Sequence, residues 1–186
     1  MQKRYEILSS LPAYGPMYVS VSDNQEPFYS EGFVVRFYKA DATEWIANFQ
    51  PGWTDLKQVI ELEKTTNLLV VACGTCYFMN PDETKPLDVF GVDYCKIFKA
   101  SNGRVVLQGQ TSFTVIEPDG KYWRTQRISW DGLSEVNIVS NLLSGFAYNP
   151  MHDSDEWKHF TYDIDTKTLI GGTYHIIEKK PWWKIW

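Results

Sequence analysis

The chain has 186 residues, of which 44% are hydrophobic and 22% charged, so it can bury a core and is too apolar for a disordered protein. Its formal net charge of −5 argues against nucleic acid as a partner, because that affinity comes from clustered Lys and Arg. Aromatic residues make up 16%, including 8 Trp, and large rings favour pleated sheet surfaces. We predict a single β-rich domain over residues 1–186.

The N-terminal residues, the apolar runs and the number of cysteines predict the cellular location of the protein. Lys3 and Arg4 are followed by polar residues and Pro12, not by the apolar stretch of a signal peptide. No apolar run has the length of a membrane span. Three cysteines are an odd number and do not form an extracellular disulfide framework. We predict a cytoplasmic protein with no membrane span.

The first half of the chain contains short strand patterns separated by turn residues. Residues 17–21 predict one strand, and residues 33–38 and 43–49 predict a hairpin. Gln50-Pro51-Gly52-Trp53 then predicts a tight turn. Residues 55–63 alternate as a strand does, although their apolar positions also fit one helical turn.

The second half, residues 67–178, is a repetitive β-meander in sequence. Segments 68–72 and 75–79 end in Asn-Pro-Asp, and segments 105–109 and 112–116 end in Glu-Pro-Asp at an offset of 37 residues. A looser copy runs from Leu142 to Tyr148. Asn102-Gly103 and Asp119-Gly120 are strong hairpin signals, and residues 165–167 predict a further tip.

Repeats of this length predict an all-β fold. The segment Phe160–Gly172, with its Asp-Thr-Lys-Thr turn, resembles the outer hairpin of many β-propeller blades. The predicted fold is therefore a mostly antiparallel meander with little helix. It forms either a partial or small β-propeller or a curved sheet rolled on itself.

The sequence contains few residues in a pattern typical of a catalytic, redox or metal-binding site. Cys73-Gly74-Thr75-Cys76 could be a redox pair or half of a zinc site, but its flanks predict strands and a second ligand pair is missing. The acidic loop around His152 lacks the glycine and glutamate that a calcium loop requires. We interpret the cysteines as buried sheet residues and the loop as a solvated turn. We predict no catalytic residue, no metal site and no cofactor.

The tryptophans are the strongest candidates for a contact surface. The C-terminal tail, residues 179–186, contains Trp182, Trp183 and Trp186, an apolar area that something must cover. The tail can close the domain's own sheet, pack in a homodimer or bind another protein. Contact with a membrane surface is a further alternative, because Trp with flanking Lys suits the interface, but the acidic chain opposes anionic lipid. Trp53 and Trp130 are the predicted places for a small ligand or a carbohydrate.

The function predicted from these observations is a non-catalytic protein-binding module. In general character, a small acidic β protein of this kind resembles the immunity proteins that neutralise bacterial toxins, and the resemblance implies an acidic binding surface. Two alternatives remain: a small-ligand or carbohydrate-binding protein that uses exposed rings, and an enzyme whose site comes from distant loops.

Overall fold

The structure, a computed structural model, describes residues 4–15, 17–24, 26–151 and 155–174. Within these residues there is no α-helix, only one 3₁₀ turn at Ser101–Gly103, which confirms the all-β prediction. The strands are β1 (Tyr5–Ile7), β2 (Val19–Val21), β3 (Phe33–Tyr38), β4 (Glu44–Phe49), β5 (Lys57–Glu61), β6 (Leu68–Ala72), β7 (Thr75–Met79), β8 (Asp88–Phe90), β9 (Lys96–Lys99), β10 (Val105–Gln108), β11 (Phe113–Ile116), β12 (Tyr122–Arg124), β13 (Leu133–Val139), β14 (Leu142–Pro150), β15 (Asp155–Asp163) and β16 (Thr168–Gly171).

The strands form four sheets of four strands each. Sheet 1 has the order β1-β3-β4-β2, and its strand β2 pairs in parallel with β4. Sheets 2, 3 and 4 contain β5 to β8, β9 to β12 and β13 to β16, each in chain order. This confirms the meander; closure of the sheets into a propeller stays a prediction.

Two local predictions in the first half are confirmed. Strands β3 and β4 form the expected hairpin, with antiparallel pairs running from Phe33–Phe49 to Tyr38–Glu44. The segment 55–63, whose pattern fits both a strand and a helical turn, contains strand β5, which pairs with β6. The alternation of its residues, and not their helical spacing, therefore gives the correct structure. Strand β2 is shorter than predicted and begins at Val19.

The sequence repeat corresponds to a repeat of position within the sheets. The offset of 37 residues superimposes β6 on β10 and β7 on β11, which are the second and third strands of sheets 2 and 3. The looser copy is β14, the second strand of sheet 4. The segment likened to an outer blade hairpin is β15 and β16, the last two strands of sheet 4.

The described residues group into two compact units. Unit 1 takes the residues up to Gly109 together with Thr114–Trp123, and unit 2 takes Gln110–Phe113 and the residues from Arg124 onward. None of the described residues belongs to a helix long and apolar enough to cross a bilayer.

Unit 1 is built around strands β6 and β7 of sheet 2, which are buried on both faces. Leu68 and Val70 of β6 enter one hydrophobic cluster, shared with sheet 1, while Leu69 and Val71 enter another, shared with sheet 3. Because successive side chains point to opposite faces, a continuous apolar run supplies both clusters.

Unit 2 contains sheet 4 and a smaller set of buried side chains. The ring of Phe160 on β15 lies 6.0 Å from that of Phe113, measured between centroids, and both are fully buried. Ile128 is also buried, and its N–H donates to the carbonyl oxygen of Thr111 at 2.9 Å.

Candidate functional site

The loop between β4 and β5 carries Trp53 in a fixed backbone position. The N–H of Trp53 donates to the carbonyl oxygen of Val92 at 2.8 Å. The N–H of Thr54 donates to the carbonyl oxygen of Cys73 at 2.9 Å. The loop is therefore bonded to two other segments of unit 1, so the backbone beneath the indole is held in place.

Gly52 explains how this loop lies so close to its neighbours. A Cβ atom at this position would lie 2.5 Å from the carbonyl oxygen of Val92 and 2.6 Å from that of Cys73. Real Cβ atoms do not approach backbone oxygens this closely, so only glycine allows the contact. Residues 50–53 do not form the predicted tight turn, because their N–H groups bond to other segments and the chain bends at residues 53–55 instead. Gly52 serves close packing.

A cavity of about 400 Å³ lies beside Trp53. Tyr77 of β7 is almost fully buried there, and its hydroxyl donates a hydrogen bond of 2.8 Å to the carbonyl oxygen of Gln50. The lining comes from four separate segments of unit 1, and its residues are Asp23, Gln50, Pro51, Gly52, Trp53, Thr75, Tyr77, Val89, Phe90, Gly91 and Val92.

The phenol of Tyr77 stays protonated at physiological pH. Burial, together with the negative charge of Asp23, raises the pKa of its phenol well above the ordinary value. The hydroxyl therefore stays neutral at physiological pH and acts as a hydrogen-bond donor within the fold. It fixes the wall of the cavity and supplies no phenolate nucleophile.

Trp53 and Asp23 are the open groups of this cavity. Trp53 is 81% exposed, and within the described ranges its indole has no stacked ring and its N–H has no acceptor. Asp23 is exposed and is the one charged residue of the lining; it has no hydrogen-bond or ion-pair partner among the residues that the structure describes. Both groups are available to a ligand.

Trp130, the other predicted ligand residue, lies in unit 2 and already has partners there. Its ring lies 4.7 Å from that of Tyr174, nearly perpendicular to it, and the guanidinium carbon of Arg127 lies 5.6 Å from the indole centroid. Arg127 is even closer to Tyr174, at 4.8 Å. Trp53 and Trp130 belong to different units, and their predicted ligand-binding role stays a prediction.

The predicted contact residues of the tail, Trp182, Trp183 and Trp186, lie outside the described residues, as does His152 of the acidic loop. His159 is described; it lies on β15, where its ring contacts that of Phe146 edge to face, 5.7 Å between centroids. This contact gives the histidine a packing role.

The Cys-Gly-Thr-Cys segment forms part of the β6–β7 hairpin, with Cys73 in its turn and Cys76 in β7. Cys73 and Gly74 connect β6 to β7 with φ of 51° and 93°, the positive values that a two-residue type I′ turn requires. Cys76 is fully buried, and desolvation raises the pKa of its thiol well above the ordinary value. Both thiols are free, as is that of Cys95. The interpretation of the cysteines as buried sheet residues is confirmed for Cys76 alone, because Cys73 lies in the turn and is half-buried, and Cys95 is exposed.

Two further cavities in unit 1 each contain a side chain that already has a partner. In one, Arg104 forms an ion pair with Glu117, with Nε 3.0 Å from Oε2. In the other, the ring of Tyr122 stacks on Phe90 at 4.1 Å, and its hydroxyl donates to Asp88 at 2.9 Å. Across the described part of the chain, no group of three or more His, Cys, Asp or Glu side chains could hold a metal ion.

Comparisons with known proteins do not show a family. No protein-family model matches the chain. A protein of Listeria innocua serovar 6a named uroporphyrinogen decarboxylase is 30% identical to it over 94 residues, which are 48% of this chain. The match covers 27% of that protein, so the chain spans about a quarter of the relative's length.

Proposed function

We propose that the chain is a non-catalytic protein-binding module that contacts its partner through Trp53 and the adjacent cavity. The observation that carries this proposal is the 81% exposure of an indole whose backbone is hydrogen-bonded to Val92. A large ring left in water on a fixed loop loses little conformational entropy when a partner covers it. Tryptophan is for this reason among the residues that contribute most to protein interfaces.

The proposal is tested with the full chain and two single variants. Trp53→Ala removes the indole, and Tyr29→Ala removes a ring that is 90% exposed, as the matched control. Each immobilised protein is incubated with lysate of the source cells, and retained proteins are compared by mass spectrometry. We expect a protein that binds the wild type and Tyr29→Ala but not Trp53→Ala.

That protein is then produced alone, and its affinity is measured by calorimetry. Loss of a central tryptophan costs about 2 kcal/mol or more, so we expect Trp53→Ala to weaken binding about thirtyfold or more. Equal dissociation constants for the wild type and Trp53→Ala, or no protein that distinguishes them, would overturn the proposal. Circular dichroism confirms that both variants are folded.

A small-ligand or carbohydrate site is the second candidate, because the cavity of about 400 Å³ is within the usual size range of ligand pockets. The side chains of Asp23 and Thr75 line it together with the Trp53 indole, the combination on which a sugar ring stacks and forms hydrogen bonds. A panel of mono- and oligosaccharides is tested for a rise in Tm. A rise that Trp53→Ala abolishes favours this function over the first.

The Trp-rich tail provides a second proposed contact, with another protein or with a second copy of the chain. A chain ending at Pro181 is compared with the full chain by light scattering and thermal unfolding. A folded truncated chain that loses a dimer or a bound protein supports the contact. A monomeric, unfolded truncation overturns it. We also propose a cytoplasmic location, which the three free thiols support.

The immunity-type role is the specific form of this proposal, in which the partner is a toxin. The negative net charge and the exposed carboxylate of Asp23 support it, because an acidic surface attracts a basic partner. Co-expression with a toxin from the same source cells tests it. Growth restored by the wild type but not by Trp53→Ala is the expected result; growth inhibited equally with and without the chain, for every such toxin, overturns it.

A further inference from the structure

We propose that the cavity beside Trp53 receives a lysine or arginine side chain of the partner protein. This inference rests on the proposed function and names the chemistry of the group that the same site binds.

The charge of the lining supports a cation. Asp23 is its one charged residue, and the remaining side chains are neutral, so no group of the lining repels a positive charge. Among the described residues no cation neutralises Asp23. An anionic side chain entering the cavity would be repelled by this carboxylate, and a neutral one could gain a hydrogen bond from it but no attraction between opposite charges.

The indole supports the same conclusion. The face of a tryptophan ring attracts a cation placed within about 6 Å of its centroid, and tryptophan is the best of the aromatic residues for this contact. Within the described residues the structure already contains such contacts in unit 2, where Arg127 lies over Trp130 and Tyr174. The ring of Trp53 has no such cation from the described residues, and its high exposure leaves its faces open to one from a partner.

Size and polarity are also compatible with a long basic side chain. The cavity of about 400 Å³ has a mixed polar and apolar lining, and Val89 belongs to its apolar part, against which the methylene stem of Lys or Arg can pack. The carboxylate of Asp23 can then accept hydrogen bonds from the charged group, while the stem covers the apolar wall.

The experiment uses the full chain and small probes of defined charge. Nα-acetyl-arginine amide and Nα-acetyl-lysine amide are titrated and followed by the NMR signal of the Trp53 indole N–H. That signal is assigned by its absence in Trp53→Phe. The neutral probes Nα-acetyl-citrulline amide and Nα-acetyl-norleucine amide match the cations in shape.

We expect saturable shifts with the two cationic probes and no saturation with the neutral ones over the same range. Asp23→Asn, which keeps the shape of the side chain, should weaken the cationic probes about two- to fivefold, the scale of one exposed ion pair or cation–π contact. Asp55→Asn, outside the lining, is the matched control and should leave the affinities unchanged. Added salt should weaken binding in the wild type.

Equal binding of citrulline and arginine probes, absence of any saturable shift, or an unchanged affinity in Asp23→Asn would overturn the inference. These results leave the proposed function separately testable. If Trp53→Ala loses a partner that Asp23→Asn binds as well as the wild type does, the proposed binding function stands and the inference of a cationic side chain is overturned. A partner unaffected by Trp53→Ala overturns the proposed function itself.

Discussion

The hydroxyl of Tyr77 and the carbonyl oxygen of Gln50 are joined by a hydrogen bond of 2.8 Å, which ties strand β7 to the start of the loop that carries Trp53. The phenol is buried, so its neutral form is required for the fold. The bond therefore links the shape of the cavity to the protonation of one side chain.

Tyr77→Phe is expected to reduce the alkaline sensitivity of the protein. The pKa of Tyr77 is raised in the folded state, so the unfolded chain loses this proton first, near pH of about 10. The stabilisation is fully present below that pH and falls as the pH rises. Tm measured from pH 8 to 11 should decline less steeply in Tyr77→Phe than in the wild type. The exposed Tyr29→Phe should follow the wild type, and a Tyr77→Phe slope equal to that of the wild type would contradict the assignment.

Cys73→Asn is expected to stabilise the β6–β7 hairpin. Cys73 has φ of 51°, and Asn tolerates this left-handed conformation better than other residues with a Cβ atom. We expect a gain of about 0.5–1 kcal/mol in the free energy of unfolding, measured in urea. Gly74→Ala should cost about 1–3 kcal/mol, because φ is 93° and the added Cβ would lie 2.7 Å from Oγ1 of Thr54. A destabilised Cys73→Asn would argue against the turn.

Gly52→Ala is expected to displace the Trp53 loop. The added methyl group meets two backbone oxygens within 2.6 Å, so the loop must shift, at a cost of about 1–3 kcal/mol. The indole N–H signal of Trp53 should move in NMR spectra of the folded variant. Gly120→Ala is the control; it carries left-handed strain, but its nearest neighbour is 3.8 Å away, so the Trp53 signal should stay in place. An unmoved signal in Gly52→Ala would disprove the tight packing.

The two accessible thiols, Cys95 and Cys73, are expected to react before the thiol of Cys76. Cys95 is exposed and Cys73 is half-buried, whereas Cys76 is fully buried. Desolvation raises the pKa of the Cys95 thiol, and it raises that of Cys76 well above the ordinary value. Because the thiolate is the reactive form, Cys76 should be labelled only after unfolding. Iodoacetamide labelling followed by peptide mass spectrometry gives the order. Rapid labelling of Cys76 in the folded protein, or a Cys73–Cys76 disulfide after mild oxidation, would contradict the structure.

Strands with continuous apolar runs and clear turn residues could be predicted from the sequence. Strands β3, β6 and β7 have the predicted bounds, because each is a buried run between turn residues. Strands β8 and β12 were not predicted: each has three residues, with exposed polar ones such as Asp88 and Arg124, so neither has an alternation long enough to read.

The cavity could be predicted only in part. The sequence indicates Trp53 as a ligand-contact candidate beside a glycine, but Asp23 and Val92 reach the site from distant segments. Their proximity depends on how β2 pairs with β4 and how the β8–β9 connection bonds to the Trp53 loop. Local patterns contain no information on such pairing, because they repeat every two residues whichever strand lies alongside.

Because β6 and β7 are buried on both faces, local unfolding of these two strands costs more free energy than unfolding of the edge strands. A fluctuation that frees these strands must expose both hydrophobic clusters of unit 1 at once, whereas β8 and β12 lie at sheet edges and can separate at lower cost. The amide hydrogens of Val70 and Tyr77 should therefore be among the slowest in unit 1 to exchange with deuterium, at a rate set by opening of the whole unit.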